Sequence, residues 1–299
     1  MQNSVVYFVL FALAIFGLSA CVPKQQVIDP NPYVIADGQR PWVIAHGGAK
    51  DLFPENTMVA FNGSFDLKVD AFEIDLCMTK DEVIVCHHDL TIDAMSDGEG
   101  NVIDYTFEEL QAFNFGHGFE GLDGSYPYRD RIVALPSLAE VLDAYPNMHY
   151  IIELKNQGEN GFRAGEVLFD LLENYNMGDR VIVASFRDDV LQHFVEVSRG
   201  KYLTSSSEKE TEDFAFSGLG GMEYLYRPEA IAVQIPMSSA GINLATERII
   251  RSAHRRRMAV HYWTIDDPED MELLIGLGAD GLITDRPDLM WAKLREMGY

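Results

Sequence analysis

The chain has 299 residues, of which 47% are hydrophobic, and its 47 acidic and 23 basic side chains give a formal net charge of −24. This apolar content is sufficient for a large hydrophobic core and argues against a disordered or collagen-like chain. The acidic balance argues against a DNA-wrapping or polybasic lipid-binding surface, so we expect no nucleic-acid partner. The three cysteines lack a Cys-x-x-Cys pair, which disfavours both a disulfide scaffold and a structural zinc site.

The first 20 residues contain no charged side chain, and their stretch Val5–Leu18 is almost purely apolar. That stretch is shorter than the ~20 residues of a membrane-spanning helix, which favours a cleaved signal peptide over residues 1–20 rather than an uncleaved anchor helix. The sequence Leu18-Ser19-Ala20-Cys21 resembles the lipobox of bacterial lipoproteins, in which the cysteine is acylated and becomes the new N-terminus. The resemblance implies that Cys21 carries lipid and anchors the protein to a membrane.

Such an anchor implies a location in the cell envelope, facing the periplasm or the exterior. The following residues, 21–40, bear prolines, glutamines and asparagines without an apolar period, and they predict a tether. We therefore expect the folded domain to occupy residues 41–299.

Short apolar runs typical of β-strands recur through this domain and alternate with stretches that carry apolar residues at three- and four-residue steps. The predicted strands are Trp42–Ala45, Ala71–Leu76, Val83–Cys86, Tyr150–Leu154, Val181–Ala184, Ala230–Ile235, Ala259–Trp263 and Gly281–Ile283. The predicted helices are Thr57–Leu67, Ser137–Ala144, Gly165–Asn174, Asp188–Val197, Ala245–Arg257 and Pro268–Leu277. This alternation indicates a parallel sheet, and the length fits a single α/β domain, a (β/α)8 TIM barrel.

Two regions depart from a simple barrel. The segment Asp89–Ala134 is rich in Gly, Asp and Tyr and is too long for a crossover, so it predicts a small insertion over the barrel mouth after the third strand region. The region Lys201–Thr204 leaves the number of strands open.

Polar residues follow the first predicted strand at the end where such barrels carry their chemistry. His46 comes first, and Gly47 and Gly48 after it have no Cβ, so their backbone amides can approach a ligand. By itself, His46 is also explained as a histidine that caps an ordinary turn.

The second predicted strand carries Glu73 and Asp75, which share one face because side chains alternate along a strand. Three apolar residues, Phe72, Ile74 and Leu76, occupy the other face, which indicates that this face is covered. Like charges in one pocket raise each other's pKa unless a cation neutralises them. The pair therefore predicts a cation site.

The third predicted strand, Val83–Cys86, returns from a turn near Asp81 and ends in two histidines. A tight hairpin brings His88 back beside the two carboxylates, whereas His87 points to the opposite face. Asp89 then orients the His88 ring.

The same hairpin brings Cys77 and Cys86 near each other. A disulfide needs Cβ atoms at ~3.8 Å with facing vectors, and a free buried thiol is the commoner state of cysteine. We expect both thiols to be free.

The fourth predicted strand ends in Glu153 and Lys155, again on one face. An ordinary cross-strand ion pair is one explanation. The alternative is a hard-cation site that also receives an anion, with phosphate the obvious anion for Lys155. A set this rich in carboxylate oxygen favours Mg²⁺ or Ca²⁺ over zinc.

Ten short motifs in chain order make the sequence resemble the glycerophosphodiester phosphodiesterase family. They are His46-Gly47-Gly48, Pro54-Glu55-Asn56-Thr57, Glu73-Ile74-Asp75, Thr79-Lys80-Asp81, His88-Asp89, Leu135-Pro136-Ser137-Leu138, Glu153-Leu154-Lys155, Ser185-Phe186, Trp263-Thr264 and Thr284-Asp285-Arg286-Pro287. The likeness covers Val43 to Pro287 and implies the TIM-barrel fold.

The resemblance also implies the roles of particular residues. A divalent cation, Mg²⁺ or Ca²⁺, would be held by three carboxylates, the general acid and base would be two histidines, and four further residues would bind substrate. These sets are Glu73, Asp75 and Glu153 for the cation, His46 and His88 for proton transfer, and Lys155, Gly47, Trp263 and Phe186 for the substrate. Leu135-Pro136 and Asp285-Arg286-Pro287 would be structural, and Gly47 stands where most members have Arg.

The implied reaction is hydrolysis of a glycerophosphodiester to glycerol 3-phosphate and an alcohol. Attack by water and attack by the neighbouring glycerol hydroxyl both remain open. Two other functions compete: a phospholipid-cleaving relative, and a lipid-anchored binding protein without turnover. The aromatic residues of Asn114–Tyr128 could serve a lipid-admitting surface or pack the insertion itself.

Overall fold

The computed structural model describes residues 30–220 and 230–299. The strands are β1 (Trp42–Ala45), β2 (Ala71–Met78), β3 (Ile84–Cys86), β4 (His149–Leu154), β5 (Val181–Ala184), β6 (Leu203–Thr204), β7 (Ala232–Ile235), β8 (Ser238–Ser239), β9 (Ile242–Asn243), β10 (Ala259–Tyr262) and β11 (Gly281–Thr284). The helices are α1 (Met58–Asp66), α2 (Phe107–Leu110), α3 (Leu138–Ala144), α4 (Gly158–Asn174), α5 (Asp188–Ser198), α6 (Glu208–Gly220), α7 (Glu247–His254), α8 (Pro268–Leu277) and α9 (Pro287–Glu296).

Eight of these strands form one parallel sheet in the order β6-β5-β4-β2-β1-β11-β10-β7. A parallel bridge between Ser205 and Ala232 joins the two end strands and brings the sheet to closure. The TIM barrel predicted from the alternation of strands and helices is therefore confirmed. The open point at 201–204 is settled by β6, which is only two residues long.

Side-chain alternation along the strands divides the core into two layers. Residues such as Phe72, Ile74 and Val183 point outward into a large cluster shared with the helices. Residues such as Ile44 and Ile151 point inward and fill the barrel. Parallel strands buried on both faces need apolar side chains on both, which is why their sequences read as continuous apolar runs.

Local signals set the helix starts. Ser137 and Glu140 form a capping box at the start of α3, and Asp267 caps α8, whose first residue is Pro268. Helix α4 begins at Gly158, a full turn and more before the predicted Gly165, and α7 is shorter than predicted.

The barrel interior is closed at its N-terminal end by a segment that precedes β1. Tyr33 is buried and lies 5.0 Å from the Trp42 ring centroid, and its hydroxyl donates to the Asp179 carbonyl oxygen at 2.8 Å. The Asn31 side-chain amide donates to the carbonyls of Ile231 and Arg257 at 2.8 and 2.7 Å. The predicted boundary at residue 41 is therefore wrong: the folded part includes residues assigned to the tether.

The predicted signal peptide, the lipobox with Cys21 and the first part of the tether lie outside the described residues. Within residues 30–220 and 230–299, no helix combines the length and apolarity needed to cross a bilayer.

The hairpin predicted after the second strand is present. Strand β3 pairs antiparallel with β2, with Leu76 opposite Cys86 and Cys77 opposite Val85. Both cysteines are buried free thiols, as expected. Cys77 and Cys86 occupy neighbouring positions of the β2–β3 pairing, so their side chains point to opposite faces of the hairpin. Cys77 packs in the small cluster with Phe115, and Cys86 packs in the large outer cluster.

The segment after the hairpin, 89–134, packs on itself. Ile92, Leu110 and Phe115 form a small cluster with the far face of the hairpin, and Phe119 is also buried. Two of the aromatic residues considered for a lipid-admitting surface thus serve packing. Tyr126 and Tyr128 are more exposed and stack with Arg129 and Arg131.

Candidate active site

Three carboxylates meet at the C-terminal end of the barrel. Glu73 and Asp75 project inward from β2, and Glu153 projects from β4, where it stands directly opposite Asp75 in the strand register. One oxygen atom from each lies within 4.8 Å of the other two. Strand alternation, which predicted that the two β2 residues share a face, is the reason for this meeting.

Lys155 lies between two of these carboxylates. Its ammonium is 2.9 Å from Asp75 Oδ1 and 2.9 Å from Glu153 Oε1. Burial opposes the charge of Lys155, but the two carboxylates outweigh it and hold the lysine pKa above its ordinary value. Lys155 is therefore a permanent cation at the floor of the mouth.

The surroundings shift the pKa values of the three carboxyl groups differently. Burial and the charge of Asp75 raise the pKa of Glu73, which accepts a hydrogen bond from the Gly47 N–H at 2.9 Å. Burial also opposes ionisation of Asp75, but Lys155 and His88 hold the pKa of that carboxyl below its ordinary value. Burial raises the pKa of Glu153, and Lys155 acts against that increase.

Asn56 supports Asp75 in a way that the sequence did not reveal. Its side-chain amide donates to Asp75 Oδ2 at 3.0 Å, and its side-chain oxygen accepts the Asp75 N–H at 3.1 Å. The only signal available was its place in the Pro54-Glu55-Asn56-Thr57 motif. Asn56 adopts a left-handed φ of 54°, a conformation that Asn tolerates better than most residues.

His46 is fixed by a residue that the family resemblance had assigned to structure. Its Nδ1 is 2.7 Å from Asp285 Oδ1, and its Nε2 is 4.0 Å from Glu73 Oε2. Burial opposes protonation of His46, but the hydrogen bond to Asp285 and the charges of Glu73 and Asp285 raise its pKa to about 9. Asp285, which also has Lys50 Nζ 3.7 Å away, is therefore part of the site.

The two adjacent histidines are separated as the hairpin register predicts. His88 lines the mouth of the barrel, and its Nδ1 is 2.8 Å from Asp89 Oδ1. His87 is buried, its Nε2 lies 2.9 Å from the Thr91 carbonyl oxygen, and its ring packs on Phe115. Burial lowers the pKa of His87, which is therefore a neutral packing residue.

A cavity of about 350 Å³ joins these groups. Among its walls are His46, Glu73, His88, Glu153 and Lys155 on one side, with Phe186 and Trp263 farther along. The two aromatic rings meet edge to face with centroids 5.8 Å apart.

Three of the four predicted substrate-binding residues, Lys155, Phe186 and Trp263, line this cavity. Gly47 is not among the described residues that line it. Its amide is directed at Glu73, so Gly47 supports a carboxylate. The predicted approach of this amide to the substrate is not what the geometry shows.

The charges around the carboxylates fit a hard divalent cation. Two of the three carboxylates share Lys155, and among the described residues the buried Asp75 Oδ1, although 2.9 Å from the ammonium, receives no properly directed hydrogen bond. Oxygen donors of this kind suit Mg²⁺ or Ca²⁺. Glu73, Asp75 and Glu153 are the residues that would hold it.

The fold and the site define a TIM barrel with an acidic, histidine-flanked centre at its C-terminal face. The chain matches the model of the glycerophosphoryl diester phosphodiesterase family over residues 46–289. It belongs to that family.

Individual relatives are similar to this protein over most of its length. The glycerophosphodiester phosphodiesterase of Caldanaerobacter subterraneus subsp. tengcongensis is 30% identical over 265 residues, which cover 86% of this chain and 98% of the relative. A putative glycerophosphoryl diester phosphodiesterase from Silicibacter pomeroyi has a TM-score of 0.74 at 21% identity, with 91% of this chain and 99% of that chain covered. An Oleispira antarctica phosphodiesterase, solved with sn-glycerol-3-phosphate, has a TM-score of 0.66 at 18% identity, with 86% and 97% covered.

Proposed function

We propose that this protein hydrolyses glycerophosphodiesters to glycerol 3-phosphate and an alcohol, with a divalent cation held by Glu73, Asp75 and Glu153. The meeting of these three carboxylates within 4.8 Å of one another, with Glu73, Glu153 and both histidines lining one cavity, carries the proposal. The relatives' names give the substrate class, and the Oleispira complex contains its phosphate-bearing product.

When bound, the cation would polarise a nonbridging phosphate oxygen and absorb developing charge. Lys155 lies beside the same carboxylates and meets the phosphate as a second positive charge. Because the substrate brings an anion into a strongly acidic protein, these local charges have to attract it.

The two histidines suit opposite steps of proton transfer. His46, held protonated by Asp285, donates a proton to the departing alkoxide. His88 turns Nδ1 to Asp89, which favours the tautomer with a free Nε2, and that atom removes the proton from the nucleophile. The nucleophile is water or the glycerol hydroxyl next to the phosphate.

The deciding assay uses the full-length protein against glycerophosphocholine, a lysophospholipid and a phosphatidylinositol, each with and without EDTA. We expect turnover of glycerophosphocholine alone, loss in EDTA, and recovery with Mg²⁺ or Ca²⁺. Full activity in EDTA would refute the cation. Turnover of the lysophospholipid or the phosphatidylinositol would favour the phospholipid-cleaving alternative, against which the packing of Phe115 and Phe119 argues.

The chemistry of the first residues supports a second, separate proposal: lipidation of Cys21 and a membrane-anchored position in the cell envelope. Mass analysis of the N-terminus of the wild-type protein, beside the Cys21→Ser variant, tests it. We expect a diacylated cysteine in the wild type and loss of membrane retention in the variant. Equal retention of both proteins would contradict the anchor.

A further inference from the structure

The cavity continues well past the carboxylates and changes character as it does so. The strands β1, β2 and β4 supply the charged side described above. The opposite side, here called the far half, includes Ser205, Gln234, Glu208, Glu212, Phe186 and Trp263 among its lining residues. These residues come from the ends of β5, β6, β7 and β10 and from the first two turns of α6.

Two polar side-chain groups in the far half make no hydrogen bond with the described residues. Ser205 is 2% exposed, and its hydroxyl makes no hydrogen bond with the described residues, although its N–H donates to Val183. The Gln234 side-chain nitrogen is buried and likewise unpaired among them. A buried polar atom without a partner is costly, so Gln234 Nε2 favours an occupant that supplies one, and the Ser205 hydroxyl, which lines the cavity, is available to the same occupant.

Two carboxylates stand at the rim above them. Glu208 and Glu212 are four residues apart on α6, so they lie on one face of the helix, and both line the cavity. Neither forms an ion pair or a hydrogen bond with residues 30–220 or 230–299. The helix N-terminus tolerates such charges, but like charges at this spacing repel each other.

The remaining wall is aromatic. Phe186 is 52% exposed and stands edge to face on Trp263. Exposed aromatic faces attract cations through the negative potential of the ring. Carboxylates, a hydroxyl and aromatic faces around one space together favour a positively charged group.

We propose that the far half binds the alcohol part of the substrate and selects alcohols that carry an ammonium group. The proposal rests on the proposed function, because it assumes a glycerophosphodiester in the charged half. Glu208 and Glu212 attract the ammonium, Ser205 accepts from it where it is a primary amine, and Gln234 donates to an oxygen of the alcohol side. Uncharged polyols gain nothing from the two glutamates.

The test compares kcat/KM of the full-length protein for glycerophosphoethanolamine, glycerophosphocholine and glycerophosphoglycerol. We expect the two cationic diesters to be preferred by about tenfold, the scale of two partly screened charges. The Glu208→Gln/Glu212→Gln variant should abolish most of this preference. The wild-type preference should also shrink in 0.5 M salt, because exposed charges are screened.

Asp213→Asn is the matched control. Asp213 is an exposed carboxylate on the same helix, next to Glu212, and it lies outside the cavity wall. Its removal should leave the preference within about twofold of the wild type, the scale of one remote screened charge. Equal kcat/KM for all three diesters, or an unchanged preference in the double variant, would overturn the proposal.

A calorimetric binding measurement on His88→Ala keeps the two proposals apart. If His88→Ala binds the cationic diesters more strongly than glycerophosphoglycerol, and if adding Glu208→Gln and Glu212→Gln removes this difference, the far half is an ammonium site even when no diester is turned over. Absence of turnover by the wild type would then count against the proposed function alone. Equal binding of all three diesters would refute the ammonium site.

Discussion

The two ends of the barrel are formed by the same eight strands, but one end is packed closed and the other carries the charged cavity. At the N-terminal end, Tyr33 and Asn31 close the interior with an aromatic contact and satisfied hydrogen bonds. At the C-terminal end, three carboxylates lie close together, and the buried Gln234 Nε2 makes no hydrogen bond with the described residues. The closed end contributes stability. At the mouth, the clustered carboxylates and the unbonded amide nitrogen gain favourable interactions when a ligand binds.

The largest effect should come from the centre of the mouth. Asp75→Asn removes a charge from the proposed cation site, and we expect kcat/KM to fall by on the order of 10³, the scale of an electrostatic group in a catalytic centre. The free energy of unfolding should change much less, because the lost attraction to Lys155 is offset in part by reduced repulsion of Glu73 and Glu153. Kinetics and urea denaturation measure the two quantities.

Glu82→Gln is the control, since Glu82 follows the same strand but pairs with Arg163 on the surface. If Asp75→Asn lowered the free energy of unfolding by as many kcal/mol as it raised the activation free energy, the mouth would also be a stabilising part of the barrel, contrary to this comparison.

The closed end should show the reverse behaviour. Tyr33→Ala removes a buried ring and should cost about 3 kcal/mol in free energy of unfolding, as for other large-to-small core changes. The kcat/KM of the folded protein should stay within about twofold, because catalysis sits at the other face. Tyr33→Phe, which loses only the hydrogen bond to Asp179, should cost about 1 kcal/mol.

If Tyr33→Ala instead lost activity while it kept its stability, the closed end would have a functional role. Denaturation and steady-state kinetics on the same preparation decide this.

The support of His46 should appear in the pH profile. Because Asp285 and Glu73 together raise the pKa of His46 to about 9 against the effect of burial, the acid form persists at neutral pH and is lost as the pH rises through that value. Asp285→Asn should lower turnover by about 10²-fold and move the alkaline limb of the profile to lower pH. Asp288→Asn, three residues later and paired with Arg286, should leave the limb in place.

The smallest effect concerns the hydrogen-bond network beside the closed end. His254 Nε2 lies 2.8 Å from Asp280 Oδ2, and Asp280 also accepts the N–H groups of Ile35 and Val260. The hydrogen bond to Asp280 raises the pKa of His254 above its ordinary value of 6.5. The ionised pair therefore stabilises the fold fully below about pH 6.5 and ceases to do so as the pH rises through the raised pKa.

His254→Gln should accordingly cost on the order of 0.5 kcal/mol at pH 6, a modest value because the imidazole is partly exposed, and less at pH 9. Denaturation curves at the two pH values test this. A cost that grows with pH would contradict the sign.

The sequence predicted most of what depends on neighbours along the chain. Strand alternation placed Glu73 with Asp75, and hairpin register brought His88 rather than His87 to the mouth. The barrel followed from regular alternation of strand and helix. Helix ends were less accurate: the helix that ends at Asn174 begins seven residues before the predicted start, because Gly158 and Gly161 in its first turns give no local helix signal.

Contacts between residues distant in sequence were beyond prediction. Asp285 reaches His46 across 239 positions, and Asn31 reaches Arg257 across 226. Closure of the barrel brings β11 beside β1 and Ser205 beside Ala232. The sequence alone determined which residue types end each strand and which face they share. Only the closed barrel decided which ends meet, because a parallel sheet joins strands in space without leaving a local signal of their partners.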